Sequence, residues 1–342
     1  MEKAKVAVVI LNWNGKSFLE KFLPSVVEYS KNDAEIIVAD NASTDDSVAF
    51  VEEYYPQVRI IQNDKNYLFA KGYNEALAHI EADYYVLLNS DIEVTPNWIR
   101  PVIELMESDE NIGICQPKLL SYHEKADFEY AGAAGGFIDT LGYPFCRGRL
   151  FNTLEKDFGQ YDDNVEIFWA TGAALFVKSS VYKSLGGLDD DFQAHMEEID
   201  LCWRAKNAGY KIMYSSGSTV FHIGGGTLSK QSPKKTYLNF RNNLILLYKN
   251  LPSYLLFWVF LVRFALDFVA GIKFLVGGSL KEALAVTKAY IDFLKQLRKT
   301  QHKRNQLSQK RLSHIYKRSI VFQYYLLGKK KFSDLKQQDF SI

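Results

Sequence analysis

Cysteine is scarce. The 342-residue chain has three, Cys115, Cys146 and Cys202, at separations that match no metal-ligand spacing. That pattern argues against a disulfide framework and fits a reducing compartment. Two nucleotide-binding signatures are also missing: no Gly-x-Gly-x-x-Gly follows the first apolar run, and no Gly-Lys-Ser/Thr loop occurs anywhere. Dinucleotide oxidoreductases and P-loop enzymes are therefore poorly supported. The opening Met1-Glu2-Lys3-Ala4-Lys5 leads straight into an apolar run, without the pattern of a secretory signal. Disorder is not expected, because 47% of the residues are hydrophobic, and the length suffices for one large domain or two ordinary ones.

Acidic residues are scarce in the last third. Residues 1–227 carry 19 Lys+Arg against 35 Asp+Glu, whereas residues 228–342 carry 22 against 5. The net charge of +1 thus hides an acidic piece able to host a metal and a basic piece able to meet anionic phospholipid. The expected division is a catalytic domain over 1–227 and a helical, basic, membrane-associated region over 228–342. Nucleic acid is not expected as the basic region's partner, because a long apolar segment interrupts it.

What is present in the first half is an alternation. Val6–Leu11 reads as a buried parallel strand, and Phe18, Leu19, Phe22, Leu23, Val26 and Val27 follow helical spacing. Glu35–Asp40 is a second strand, 47–55 a helix and Val58–Ile61 a third strand. A helix around Ala70–Ile80 leads to a fourth strand at Tyr84–Leu88. Strand–helix alternation at this spacing implies βαβ units and a Rossmann-like, mostly parallel sheet with helices on both faces. Each strand ends in polar residues: Asn12, Asp40-Asn41, Asn63–Asn66 and Asn89-Ser90-Asp91. Ligands collect beyond the carboxyl ends of strands in such sheets, so the four ends together suggest a nucleotide pocket. A carboxylate at Asp91 suits a hard divalent cation that also holds phosphates. The glycine-rich, aromatic stretch between Gly113 and Trp169 is less regular and is a candidate acceptor grip.

Several ordered segments resemble family 2 glycosyltransferases of the GT-A fold, with the nearest likeness to a bacterial rhamnosyltransferase-like branch. They include Val9–Asn14, Val38–Asp45, Lys71-Gly72-Tyr73-Asn74 and Leu87–Asp91. Further on, Gly172–Val177, Leu185–Asp189 and Glu197–Ala205 agree, with a weaker tail at Phe240–Asn243. The resemblance implies an inverting transfer from a nucleoside-diphosphate sugar, dTDP- or UDP-linked, to a hydroxyl of a glycan or lipid-linked acceptor. The setting it implies is synthesis of a bacterial surface polysaccharide or the cell wall. It places the catalytic acids at Glu197 and Glu198, where Glu198 is one methylene longer than the family's aspartate. Which of the two takes the proton stays open. It places donor binding at Asn12, Asp40, Asn41, Asn66, Lys71, Asn74, Asn89, Ser90, Asp91 and Gly172. Mg²⁺ or Mn²⁺ would be held by Asp91, Asn89 and His222, with Glu93 as a possible substitute for the amide. Leu68 stands where the family usually has glycine. A non-catalytic nucleotide-sugar-binding scaffold and a nucleotidyltransferase on a similar sheet are the rival readings.

In the basic region, Leu255–Val262 is the most apolar run. A bilayer crossing needs about 20 apolar residues, and Arg263, Asp267 and Lys273 interrupt the window that follows. The expectation is a protein at the cytoplasmic face of the inner membrane, peripheral or with one embedded segment.

Overall fold

A computed structural model describes residues 4–224, 232–310 and 312–341. The expected boundary at 227/228 lies outside the described residues.

The first half builds β1 (Ala4–Asn12), α1 (Lys16–Ser30), β2 (Glu35–Asp40), α2 (Ser47–Tyr54), β3 (Arg59–Gln62), α3 (Leu68–Leu77), β4 (Ala82–Asn89), β5 (Ile92–Val94), α4 (Arg100–Glu107) and β6 (Ile112–Ser121). β1 pairs in parallel with both β2 and β4, and β2 with β3. Both faces of β1 are covered, which is why it reads as an unbroken apolar run. Val6, Val8 and Ile10 point into one core with Leu19, Leu23 and Val26 of α1. Ala7 and Val9 point into the other with Ala70, Tyr73 and Leu77 of α3, the two-residue alternation of a pleated strand.

The middle of the chain forms short strands β7 (Gly136–Asp139), β8 (Pro144–Cys146), β9 (Arg149–Leu150), β10 (Thr153–Leu154) and β11 (Val165–Ile167), then β12 (Ala174–Lys178), α5 (Ser179–Ser184), α6 (Glu197–Asn207) and β13 (Lys211–His222). The main sheet has the order β11–β13–β6–β12–β4–β1–β2–β3, with β5 on β13. It is mixed: the β3–β2–β1–β4 half is parallel, whereas β12 runs antiparallel to β4 and β6. The long excursion between β6 and β12 returns the chain in the opposite direction.

The C-terminal part is α7 (Pro233–Asn250), α8 (Ser253–Val276), α9 (Leu280–Asn305), β14 (Ile315–Tyr316) and α10 (Ile320–Tyr325). β14 pairs with β7 and completes a second sheet, β10–β9–β8–β7–β14. Leu244–Leu247 of α7 and Phe293 of α9 share one apolar core with α3 and α6 residues. Charge complementarity reinforces the join. Lys249 Nζ lies 2.5 Å from Asp189 and 2.9 Å from Asp200, and Lys303 pairs with Asp189 and Asp191. Part of the charge asymmetry is therefore satisfied inside the molecule.

Candidate active site

The polar strand ends converge at one edge of the sheet. At the end of β1, Asn12 is fully buried. Its Nδ2 donates to Asp40 Oδ1 (3.0 Å) and Ser43 Oγ (3.1 Å), and its Oδ1 is left without a partner. Gly15 faces that oxygen so closely that a Cβ would come within 2.4 Å. Asp40 also accepts from the Ser43 backbone N–H (2.8 Å) and hydroxyl (2.6 Å), so its carboxylate shapes the turn after β2. Asn41 fastens the entry to α3: it accepts from Asn63 Nδ2 (2.9 Å) and Tyr67 N–H (3.3 Å), and donates to Leu68 O (2.9 Å) and Asn66 Oδ1 (3.3 Å). Leu68 has φ 63°, a left-handed backbone that favours glycine, which gives a physical reason for glycine there in the resembled family.

Two expected donor-binding residues are engaged elsewhere. Asn74 uses all four of its hydrogen-bonding positions on Tyr182 OH (2.6 Å), Leu188 N–H (3.0 Å), Leu188 O (2.8 Å) and Asp190 Oδ1 (2.8 Å). It holds the Leu185–Asp189 loop, with no polar capacity left for a ligand. Lys71 lies 3.7 Å from Glu75 and 4.6 Å from the Tyr67 ring centre, half-exposed.

Beyond β4, Asn89 and Ser90 are partly exposed and Asp91 is buried. Asp91 Oδ1 meets His222 Nε2 at 3.1 Å, and His222 Nδ1 lies 3.4 Å from Glu129 Oε1. This carboxylate–imidazole–carboxylate row was not read from the sequence, because Glu129 lies 93 positions from His222. Burial works against charge on the imidazole, but Glu129 and then Asp91 outweigh it and push His222 up to about 10. Glu93, the possible substitute ligand, pairs with Lys125 instead.

Among the described residues, no three of His, Cys, Asp and Glu converge to enclose a metal ion by themselves. The donor set fits a hard divalent ion completed by phosphate and water on one condition: Asp91 offers an oxygen, and His222 offers its Nε2 only once the arriving ion has displaced the proton shared with Asp91. Glu129 behind the imidazole is the outer-shell carboxylate that such a histidine usually has.

The second cluster sits at the head of α6. Gln193, His195 and Met196 before it have φ values of 65°, 69° and 76°, conformations that persist only where surroundings hold them. Asn242 Nδ2 of α7 donates to Phe192 O, Ala194 O and His195 O at 2.8, 2.8 and 2.7 Å. Arg241 adds bonds to Asp191 O and Phe192 O. Glu197 is buried and Glu198 half-buried, and one carboxylate oxygen of each has no partner. Burial, then the neighbouring Glu198, raises Glu197 well above its ordinary range, and burial lifts Glu198 to about 7. Asp200, one turn on, contrasts with both. Despite burial, Lys249 and Arg204 hold it low, so it is an anchored structural acid. His195 is held down near 4 by burial and Lys235, hence neutral.

Gly172 joins the clusters. A Cβ there would lie 3.7 Å from Glu198 Cβ and 3.2 Å from the Phe69 ring, and the next residue, Ala173, accepts from Asn89 N–H at 2.9 Å. The two glutamates thus lie one strand end from the Asn89–Asp91 turn. A cleft of about 480 Å³ between Phe137, Arg147, Glu166, His314 and Phe340 contains none of these residues.

Residues 7–180 match the profile of Glycosyl transferase family 2. The chain belongs to that family. Within it, the chain is 24% identical over 230 residues to an N-acetylglucosaminyl-diphospho-decaprenol L-rhamnosyltransferase of Mycobacterium tuberculosis, covering 63% of this chain and 75% of the relative. It is 21% identical to a low-salt glycan biosynthesis hexosyltransferase of Haloferax volcanii, covering 70% and 74%. Among solved structures, the fold of this glycosyltransferase is similar to S. aureus TarS 1–349 in complex with UDP-GlcNAc. The TM-score is 0.57 at 15% identity, covering 87% of this chain and 83% of that one. It is also similar to GalNAc-T7 with UDP, GalNAc and Mn²⁺, with a TM-score of 0.56 at 16% identity, covering 74% and 49%. The mixed α/β, GT-A type architecture is common to this chain and these two structures.

Proposed function

We propose that this family 2 enzyme transfers a sugar, with inversion, from a nucleoside-diphosphate sugar to a hydroxyl of a glycan or lipid-linked acceptor. The setting proposed is the cytoplasmic face of a membrane, in surface-polysaccharide or cell-wall synthesis. The observation that carries the reading is the adjacent pair Glu197 and Glu198, one buried and one half-buried, each with a buried carboxylate oxygen that has no partner, one strand end from Asp91. A general base works best when it titrates near the operating pH, and Glu198 does so at about 7.

Asp91 and His222 would hold a divalent ion, with Asn89 beside them. Such an ion, when bound, neutralises the charge of a departing diphosphate. Glu198 takes the proton from the acceptor hydroxyl as its oxygen bonds to the anomeric carbon and the bond from that carbon to the diphosphate breaks. Glu197 keeps its proton, because a second charge beside Glu198 is disfavoured in a buried site, and can donate to a sugar oxygen. Glu129 faces the His222 ring from behind, and Asn12, itself fully buried, fixes Asp40 and Ser43 at the rim of the donor site. Asn41 and Asn66 shape the loop that would receive the nucleotide, with Lys71 at its edge. Proteins of similar fold have been solved in complex with UDP-GlcNAc or GDP-Man, which supports a nucleotide-sugar donor without selecting one.

The test is transfer from radiolabelled dTDP- and UDP-sugars with and without Mn²⁺, with the product's anomeric configuration read by NMR. Metal-stimulated transfer with inversion is expected. Binding without any turnover or hydrolysis would leave a scaffold, and a retained anomeric configuration would remove Glu198 as base.

A further inference from the structure

α8 is 24 residues long with a mean hydropathy of 2.1 in its most apolar window, enough by length and composition to cross a bilayer. Its surroundings argue for another placement. Val259, Arg263 and Asp267 recur every four residues on one face and are buried. Arg263 Nη2 bonds Asp267 Oδ2 (3.2 Å) and its Nη1 donates to Leu141 O (3.2 Å). Asp267 also accepts from Tyr143 OH (3.0 Å) and Tyr290 OH (2.8 Å). This face is thus fixed, through charged groups, to the β7–β8 turn and to α9. The opposite face is bare: Phe257, Trp258, Phe264, Phe268 and Val276 are 61–84% exposed. A helix lodged across hydrocarbon would take the polar β7–β8 turn and the exposed lysines of α9, such as Lys288 and Lys295, into the bilayer with it, at prohibitive cost.

The bare face continues onto α10. Lys273 near the end of α8 lies 4.9 Å from the Tyr325 ring centre, and Leu326 and Leu327 beyond it are 72% and 55% exposed. Lys273, Lys329, Lys330 and Lys331 flank this apolar area, with no acid among residues 268–281 or 319–333. An apolar face edged by lysines suits the interfacial layer of an anionic leaflet.

Resting on the membrane reading above, we propose that α8 lies in the plane of the membrane surface and does not cross it. Its Phe257–Val276 face and the Tyr325–Leu327 segment are embedded together in one anionic leaflet. The inner face of the same helix holds the turn at Leu141–Tyr143. Asn243 ties Gly142 O (2.6 Å) next to Asn242, which holds the catalytic loop. The lipid-facing helix and the head of α6 therefore keep a fixed separation, as an enzyme acting on a membrane-anchored hydroxyl requires.

The test uses the full chain. In flotation with vesicles containing about 30% phosphatidylglycerol, the protein is expected to bind, and binding is expected to weaken with salt or with phosphatidylcholine alone. The triple variant Phe257→Ser, Trp258→Ser, Phe268→Ser alters only exposed side chains. It should lose partitioning on the order of a hundredfold with an unchanged circular-dichroism melt. Single cysteines introduced at positions 257, 264 and 272 can then be labelled with a fluorophore, since the three native cysteines are buried. Equal quenching of all three by lipids brominated near the headgroup supports in-plane placement. Deepest burial at position 264 means a crossing helix and overturns this proposal while leaving membrane association intact. Failure of the wild type to float with any vesicle overturns both, and a triple variant that floats like wild type overturns the assignment of the face.

Discussion

Replacing Glu198 by glutamine tests the centre of the mechanism in two independent ways. The amide keeps the shape of the side chain and removes the base, so transfer should fall by about 10²–10⁴-fold while UDP binding persists. The same change should stabilise the protein, and the sign follows from the titration. Glu198 ionises at its ordinary value of 4.5 in the unfolded chain and at about 7 in the folded one. Between those values the folded state holds a proton the unfolded chain has released, so stability from this group is full below 4.5 and is lost as pH rises through 7. At roughly 1.4 kcal/mol per pH unit the gap corresponds to about 3 kcal/mol. Glutamine has no such titration, and it also relieves Glu197 of a like charge, letting that carboxyl fall toward its ordinary range. Urea denaturation of the metal-free and nucleotide-free proteins at pH 5, 6, 7 and 8 reads the difference directly. The advantage of the glutamine variant should be small at pH 5, grow through pH 7 and then level off. A pH-independent difference would show that Glu198 ionises as an ordinary surface acid. Wild-type turnover in the variant would remove it from the chemistry altogether.

Three further substitutions probe what surrounds that base. Asp91→Asn should weaken Mn²⁺-dependent UDP binding by at least about tenfold, since a hard cation loses its carboxylate ligand; unchanged Mn²⁺ affinity by calorimetry would move the metal elsewhere. Glu129→Gln should weaken Mn²⁺–UDP binding by about 10–100-fold, the usual cost of losing the carboxylate behind a ligating histidine, and should also lower the melting temperature, because it removes the first of the charges that oppose burial of the His222 imidazolium. Wild-type affinity in that variant would make Glu129 a bystander. Asn242→Ala removes the two N–H donors that its amide shares among three carbonyls of the strained loop before α6, costing about 1–3 kcal/mol of stability. Because that loop orients Glu197 and Glu198, kcat should fall more than KM rises; a change in melting temperature with unaltered kcat would confine Asn242 to a structural role.

The parallel half of the sheet was legible because β1, β2 and β4 are covered on both faces, which makes each an unbroken apolar run bounded by polar turns. The second sheet was not. Its strands are two to four residues long, too short for alternation to register, and β14 pairs with β7 across more than 170 intervening residues. Charge counting had a similar blind spot. It separated an acidic piece from a basic one correctly by number, yet Asp189 and Asp200 in the first are the partners of Lys249 in the second.

At the site, residue type and motif position identified where polar groups gather but not which of them are already engaged. Asn74 belongs to a motif as surely as Asn12 does, yet every hydrogen-bonding position of Asn74 is taken by the Leu185–Asp189 loop and its neighbours, while Asn12 keeps one buried oxygen without a partner. The same distinction separates neighbours on one helix. Asp200 is surrounded by Arg204, Lys249 and Asn250 and is held ionised, whereas Glu197 and Glu198 at the head of that helix are buried with an oxygen each left over. A carboxylate oxygen buried without a partner costs stability unless the group holds its proton, so a pair of them side by side points to chemistry more than to packing. That inventory of partners can be drawn only once the fold has brought α7, β12 and the end of β4 together. It is also why Glu129, silent in the sequence, is recognisable beside His222 as soon as the strand carrying that histidine is laid against β6.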